Sequence, residues 1–242
     1  MADPLEGHLQ RQVANSEHFF WHRLRWRAVR GYLPVGRPFE LVDVGAGAGL
    51  LATFLARDRP LGHYRFIEPI ESLHAMLVSR HGQAADASEV ATFDGAGFVT
   101  LLDVLEHQED DAGFIRDLVA KMEPGSILLL TVPAMPSLWS QWDVALGHFR
   151  RYEKDSLQKV FADLPTRTIE TSYLFPEMVP PGYLRSRRQP PGAVVDLEVD
   201  AEFPDLPGPV NDCLYGLGTI SLSLRKHWGF GSSLFMAVEV TG

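Results

Sequence analysis

Residues 40–50 read Glu-Leu-Val-Asp-Val-Gly-Ala-Gly-Ala-Gly-Leu, and this stretch decides the fold. A short apolar run ends at alternating glycines, and an apolar helical pattern begins at Leu50. A buried parallel strand that enters a helix through a glycine turn has this pattern. Glycine lets the main chain turn tightly and lets a ligand approach closely, and the start of the helix offers it unpaired N–H groups.

The spacing of the glycines argues against a dinucleotide cofactor. In the dinucleotide fingerprint G-x-G-x-x-G, the third glycine would fall where this chain has Leu50. Asp43 lies two residues before the first glycine, and Glu68 ends the next apolar run, 64–68. An acid about 20 residues beyond the glycines is placed to accept hydrogen bonds from ribose hydroxyls.

The pattern D-x-G-x-G-x-G, followed by an acid after the second strand, resembles class I S-adenosylmethionine-dependent methyltransferases. Residues 103–107, Asp-Val-Leu-Glu-His, strongly resemble the fourth motif of the small-molecule methyltransferases. The resemblance implies that the cofactor is S-adenosylmethionine. It also implies a Rossmann-like, doubly wound α/β fold with a seven-stranded sheet, mostly parallel, in which the last strand is antiparallel beside the sixth.

Strand and helix patterns alternate along the chain, which predicts a parallel sheet with helices on both faces. Strands are expected at 41–44, 64–68, 97–103, 126–133, 167–174 and 232–240, with a fainter one at 81–86. Ligands of such sheets bind beyond the carboxyl ends of the strands, where the strand order reverses.

Residues near those strand ends, together with one arginine of the N-terminal segment, are the candidate cofactor contacts. They are Arg25, Asp43, Gly45, Ala46, Gly47, Glu68, Pro69, Asp86, Leu102, Asp103 and His107. In the family, an acid after the third strand pairs with the adenine amino group, and Asp86 stands in that place. A loop aspartate that caps a turn is the alternative for Asp86.

Residues 17–30 interleave aromatic side chains with arginines, which predicts an amphipathic, cationic helix. It could pack on the domain edge with its arginines reaching solvent, or form a lid that places an arginine near the carboxylate of the cofactor. A membrane-surface helix is disfavoured by the net acidity and the short length. A His-aromatic-aromatic segment followed by arginines looks like the start of many bacterial methyltransferases of this class, which favours the lid, with Arg25 as the contact.

Residues 133–152 contain the next candidates. Leu-Trp-Ser, an Asp four residues beyond the Trp, and Gly-His-x-Arg-Arg-Tyr look like one large bacterial branch of the class. The polar groups could line a substrate pocket; the alternative is a loop and a helix cap held by hydrogen bonds of His148 and Arg150. The unperturbed pKa of histidine as a residue type suits a general base, so His107 and His148 are the candidates, and Tyr152 could orient the acceptor. No metal-ligand spacing of the type used by catechol methyltransferases is apparent, so we predict no metal.

The organisation of the chain follows from these segments. We predict an N-terminal helical lid at 1–37, a cofactor-binding core at 38–174, a substrate cap at 175–231 and a final core strand at 232–242. The cap segment is rich in proline, glycine and arginine and has no clear period, which is typical of a functional cap or a mobile loop.

The composition of the chain limits the classes of partner that it is expected to bind. The chain has 242 residues, a formal net charge of −9 and one cysteine. The acidity disfavours nucleic acid as the main partner, and no signal or membrane-spanning pattern appears. We therefore expect a soluble cytoplasmic transferase that methylates a small molecule. Two alternatives stay open: transfer or cyclisation through the aminocarboxypropyl carbon with release of methylthioadenosine, and a catalytically silent binding module.

Overall fold

The computed structural model describes residues 17–192 and 206–242 and contains a mixed sheet of six strands. The strands are β1 Phe39–Val44, β2 Gly62–Ile67, β3 Phe98–Leu102, β4 Ile127–Pro133, β5 Thr166–Leu174 and β6 Ser233–Val240. Their order is β2-β1-β3-β4-β6-β5. The pairs among β1 to β4 are parallel, whereas β6 runs antiparallel between β4 and β5. The predicted antiparallel last strand is confirmed.

The sheet has six strands where seven were expected, because residues 81–86 do not form a strand. Gln83–Ala85 form a 3-10 turn, and one parallel bridge joins Asp86 to Phe66. This segment lacks β-branched and aromatic side chains after His81, so it has little to pack against a sheet face. The bridge nevertheless places Asp86 beside β2, at the edge of the sheet.

Helices cover both faces of the sheet. They are α1 Phe20–Arg30, α2 Leu50–Asp58, α3 Glu71–His81, α4 Asp111–Ala120, α5 Gln141–Ala145, α6 Lys154–Lys159, α7 Val179–Arg188 and α8 Gly208–Ser223. Successive β4 residues Leu128 and Leu129 belong to two different buried apolar clusters, one on each face. This alternation is the period of two of a strand buried on both sides, and it confirms the predicted doubly wound architecture.

Helix α1 packs against α8, so the segments predicted as lid and cap touch each other. The Asn211 side chain accepts a hydrogen bond from the Phe20 backbone N–H at 2.8 Å. Gly218 allows Leu24 to approach, since a Cβ at Gly218 would lie 2.1 Å from a Leu24 methyl carbon. The parts of the predicted lid and cap at residues 1–16 and 193–205 lie outside the described residues. Within the described ranges, no helix combines the length and the apolarity needed to cross a bilayer.

Candidate active site

A cavity of about 480 Å³ lies at the carboxyl ends of the central parallel strands. This volume falls within the range of small-molecule sites, roughly 300–1,000 Å³. Its walls combine the glycine turn (residues 45–49), the ends of β1 and β3, helix α1 and parts of the 175–231 segment. Of the predicted site residues, Asp86 and Tyr152 are outside its lining, and all the others line it.

The glycine turn has the backbone geometry that the sequence predicted. Gly45, Gly47 and Gly49 all have positive φ, at 73°, 56° and 76°. At Gly45 a Cβ would also lie 2.4 Å from a methyl carbon of Val104. Any side chain at Gly45 would therefore combine backbone strain with a steric clash. The turn leads into the start of α2, where Leu50 and Leu51 line the cavity.

Glu68, at the end of β2, fixes the shape of the glycine turn. Its carboxylate accepts one hydrogen bond from the Gly47 N–H at 2.7 Å and another from the Ile70 N–H at 2.9 Å. Burial raises the pKa of Glu68, although both backbone donors act in the opposite direction. A carboxylate has about four lone-pair sites, so each oxygen of Glu68 keeps acceptor capacity for a ligand hydroxyl.

Asp43 lies beneath the turn, and it is almost completely buried. Thr100 Oγ1 donates to it at 2.7 Å, and the Tyr64 hydroxyl donates at 3.1 Å. Burial raises the pKa of Asp43 to about 6 despite these hydrogen bonds. Asp43 is therefore still mostly ionised near pH 7, but it takes up a proton at a higher pH than an ordinary aspartate does.

Arg25 of α1 forms an ion pair with Asp103 at the end of β3. Thr131 Oγ1 of β4 donates to the other carboxylate oxygen of Asp103 at 2.8 Å. Within the described ranges, the non-glycine residues with positive φ are Asp103, Met135 and Phe175, each within two residues of the end of β3, β4 or β5. Residues with strained backbone conformations are often found at functional sites. Here they lie at the edge of the sheet that borders the cavity.

The structure places two predicted site residues away from the cavity. Asp86 contacts the His74 imidazole at 2.9 Å and accepts a hydrogen bond from the Ser88 N–H at 2.9 Å, which fits the turn-capping alternative. Tyr152 is buried, and its hydroxyl donates to Asp111 at 2.8 Å. The geometry of Tyr152 is that of a structural link between β4 and α4, and it gives the predicted catalytic role no support.

Glu106, His107 and His148 form a polar cluster in the wall of the cavity. One side-chain nitrogen or oxygen of each residue lies within 4.8 Å of the other two. Glu106 is 1% exposed, and its Oε2 has no hydrogen-bond partner among the described residues. Burial, together with the nearby charge of Asp103, raises the pKa of Glu106 well above its usual value.

Asp143 contacts His148 through the ring nitrogen that does not face Glu106. The Nδ1 atom of His148 lies 3.2 Å from Asp143 Oδ1, and its Nε2 atom lies 4.0 Å from Glu106 Oε1. Burial favours the neutral form of Asp143, but the His148 hydrogen bond and the charge of Arg151 outweigh it and lower the pKa. Arg151 also donates to the Ala134 carbonyl at 3.0 Å, which ties the loop to β4.

Sequence reasoning therefore captured His107 and His148 but did not assign Glu106, Asp143 or Arg151 to the site. All three occur in stretches that resemble the family, so the signal was present. Their roles depend on a loop that folds back to the end of β3. The local sequence pattern does not predict this long-range contact.

A family model for a methyltransferase domain matches residues 8–164, which is more than half of the chain. The chain belongs to this methyltransferase family. Its methyltransferase domain has the Rossmann-like fold of the class I S-adenosylmethionine-dependent enzymes.

Two curated relatives and one solved structure illustrate how far the similarity extends. The chain is 36% identical over 109 residues to a ubiquinone biosynthesis O-methyltransferase of Methylocella silvestris, a match covering 38% of this chain and 40% of the relative. A protein of the same name from Sodalis glossinidius is 28% identical over 109 residues, covering 41% of this chain and 44% of that relative. The matched segment thus spans less than half of either relative.

Phosphoethanolamine N-methyltransferase 2 of Haemonchus contortus, in complex with phosphomonomethylethanolamine and S-adenosylhomocysteine, has a similar fold. The TM-score is 0.57 at 13% identity, and the match covers 91% of this chain and 53% of that one. At this identity the similarity concerns the fold alone.

Proposed function

We propose that this methyltransferase transfers the methyl group of S-adenosylmethionine to a hydroxyl group of a small aromatic molecule. The observation that carries the proposal is the shared cavity, in which the glycine turn and the polar cluster line the same space. The names of the curated relatives, which describe O-methyltransferases of ubiquinone biosynthesis, support oxygen as the acceptor atom.

The proposed cofactor seat follows the ends of β1, β2 and β3. Gly45, Ala46 and Gly47 offer bare main chain to the nucleoside, and Glu68 accepts hydrogen bonds from its ribose hydroxyls. We assign the Asp103 carboxylate and its partner Arg25 to the amino-acid portion of the cofactor. Leu102, Pro69 and His107 complete the wall, and Asp43 supports the turn from below. For Asp86, the contact with adenine stays a prediction.

The acceptor seat in this proposal is the part of the cavity covered by aromatic and apolar side chains. Trp21 stacks on Phe175 at 3.8 Å between ring centroids, and Trp142 lines the cavity from α5. Flat apolar walls of this kind suit an aromatic ring. A site covered by α1 and α7 favours a small molecule over a polymer, and the net charge of −9 also disfavours nucleic acid.

The reaction is an in-line displacement at the methyl carbon. The oxygen–carbon bond forms while the carbon–sulfur bond breaks, S-adenosylhomocysteine leaves, and the hydroxyl loses its proton. Orientation of the two reactants can supply roughly 7–11 kcal/mol of the barrier. The polar cluster is the part of the cavity equipped to promote proton loss, because an imidazole such as that of His107 or His148 is a side chain that can accept a proton. The 175–231 segment serves as a cap that selects the acceptor.

The test is to incubate the purified protein with S-adenosylmethionine and separate panels of phenols, catechols, primary amines and transfer RNA. Mass spectrometry then identifies the spent nucleoside and the product. We expect S-adenosylhomocysteine as the spent nucleoside and a product methylated on its hydroxyl oxygen in the phenol or catechol panel. Transfer to amines or RNA with no reaction of any hydroxyl would contradict the proposal, as would methylthioadenosine as the spent nucleoside.

A further inference from the structure

We propose that Glu106, His107 and His148 form a binding site for a divalent transition-metal ion, for which Zn²⁺ is the best match. Two imidazoles and one carboxylate are a ligand set of catalytic zinc sites, in which the remaining coordination positions stay open. The hard, oxygen-preferring Mg²⁺ is a poorer match to two imidazoles. The sequence analysis predicted no metal because no metal-ligand spacing was apparent, and the separation of Glu106 and His107 from His148 along the chain gives no such spacing.

The distances within the polar cluster suit a shared ion. One donor atom from each residue lies within 4.8 Å of the other two. Donors around a tetrahedral zinc ion, at about 2.0–2.2 Å from the metal, lie roughly 3.4 Å apart. Small side-chain rotations would therefore bring the three donors to the metal without a change in the backbone. The two imidazole rings already approach edge to face, with 4.8 Å between their centroids.

The contact between Asp143 and His148 is the arrangement that supports metal-bound histidines. Arg151 Nε donates to Asp143 Oδ1 at 2.7 Å, and His148 Nδ1 lies 3.2 Å from the same oxygen, so a proton on Nδ1 would point at this acceptor. The Nε2 atom of His148 is then left with a lone pair, and it lies on the side of Glu106. A carboxylate that fixes the tautomer of a histidine ligand in this way is the usual outer-shell partner of a metal site.

The Glu106 side chain supplies a second, independent indication that this cluster binds a cation. This side chain is almost fully buried, lines the cavity and leaves Oε2 without a hydrogen-bond partner among the residues that the structure describes. Buried polar atoms are nearly always paired, so such an atom requires an explanation. A cation coordinated by Glu106 would provide both the partner and the compensating charge.

The role of the ion, unlike its binding, rests on the proposed function. An acceptor hydroxyl at an open coordination position would release its proton to solvent on binding, and its oxygen would then attack the methyl carbon as the carbon–sulfur bond breaks. Positive charge beside the oxygen favours the deprotonated form at neutral pH. A ring with two adjacent hydroxyls would occupy two open positions, so catechols are the acceptor class that gains most.

The site is tested without cofactor or acceptor, on tag-free protein stripped with a chelator and then dialysed against Zn²⁺ or Co²⁺. We expect about one equivalent of zinc by elemental analysis, and a visible Co²⁺ absorption spectrum typical of nitrogen and oxygen ligands. Glu106→Gln and His148→Ala should each weaken Zn²⁺ binding by 100-fold or more. Asp143→Asn, which changes only the outer partner, should weaken binding by about 10- to 100-fold.

Glu109→Gln and His63→Ala are matched controls, because both residues are exposed and neither lines the cavity. Circular dichroism and thermal melting establish that each variant is folded. Absence of Zn²⁺ binding by the wild-type protein would overturn the proposal. So would affinity unchanged in Glu106→Gln and His148→Ala, since the ion would then bind elsewhere. Metal binding without methylation of any hydroxyl would contradict the proposed function alone, whereas methylation unaffected by chelator would contradict only the role of the ion.

Discussion

Replacement of Glu68 by alanine is the sharpest perturbation of the cofactor seat. The carboxylate holds the Gly47 and Ile70 N–H groups at 2.7 and 2.9 Å, and its remaining lone pairs are proposed to bind the ribose. Loss of a hydrogen bond to a charged group costs about 1.5–3 kcal/mol, and an unsatisfied buried donor costs about 1–3 kcal/mol. We therefore expect S-adenosylmethionine affinity to fall by about 1–3 kcal/mol, or about 5- to 150-fold.

Isothermal titration calorimetry with S-adenosylmethionine and with S-adenosylhomocysteine measures this loss directly. Glu68→Gln provides a graded comparison, because one of its two terminal atoms still accepts a hydrogen bond while the other becomes a donor facing a backbone N–H. Its affinity should fall between those of the wild type and Glu68→Ala. The exposed Glu123→Ala variant serves as the control for removal of a carboxylate. Unchanged affinity of folded Glu68→Ala for both nucleosides would refute the assignment of Glu68 to the ribose.

Three further predictions follow from the geometry. Gly45→Val should abolish cofactor binding, because its side chain would meet Val104 in a backbone conformation with φ of 73°; calorimetry showing normal affinity would contradict this. Tyr152→Phe should lower the free energy of unfolding by about 1–2 kcal/mol through loss of the Asp111 hydrogen bond, with kcat unchanged; a fall of 100-fold or more in kcat would restore its catalytic role. The pKa of Asp43 is raised from 3.8 to about 6 in the folded protein, so the folded state binds this proton more tightly and the associated stability is lost as pH rises from about 4 through 6. Urea denaturation between pH 4 and 7 measures this effect. The free energy of unfolding of Asp43→Asn, relative to that of the wild type, should rise with pH by up to about 3 kcal/mol. A difference that does not change with pH would contradict the raised pKa of Asp43.

The sequence was most informative where the local pattern and the buried contacts agree. The glycine turn needs positive φ at alternate positions, and glycine is the residue that provides it without strain, so the spacing predicted the geometry. The apolar runs of β3 and β4 are buried on both faces, which a continuous hydrophobic stretch indicates. Prediction of the fold therefore rested on residues whose neighbours in the chain are also their neighbours in the structure.

The sequence was less informative where the structure depends on distant segments. Residues 81–86 carry a weak strand pattern, and the main chain makes one bridge there in place of a strand. Tyr152 and His148 belong to the same short stretch, yet only His148 faces the cavity. The direction of each side chain is set by the return of this loop to the end of β4, where Tyr152 pairs with Ala134. The placement of Glu106 near His148 depends on another contact of this loop, in which the Phe149 N–H donates to the Glu106 carbonyl at 2.8 Å, just beyond the end of β3.

The position of the cofactor is the central claim, and a crystal structure with S-adenosylhomocysteine tests it most directly. We predict density for the ribose within hydrogen-bonding distance of Glu68 and density for the nucleoside along residues 45–47. Density for the nucleoside away from the glycine turn, with Glu68 in contact only with the protein backbone, would contradict the account.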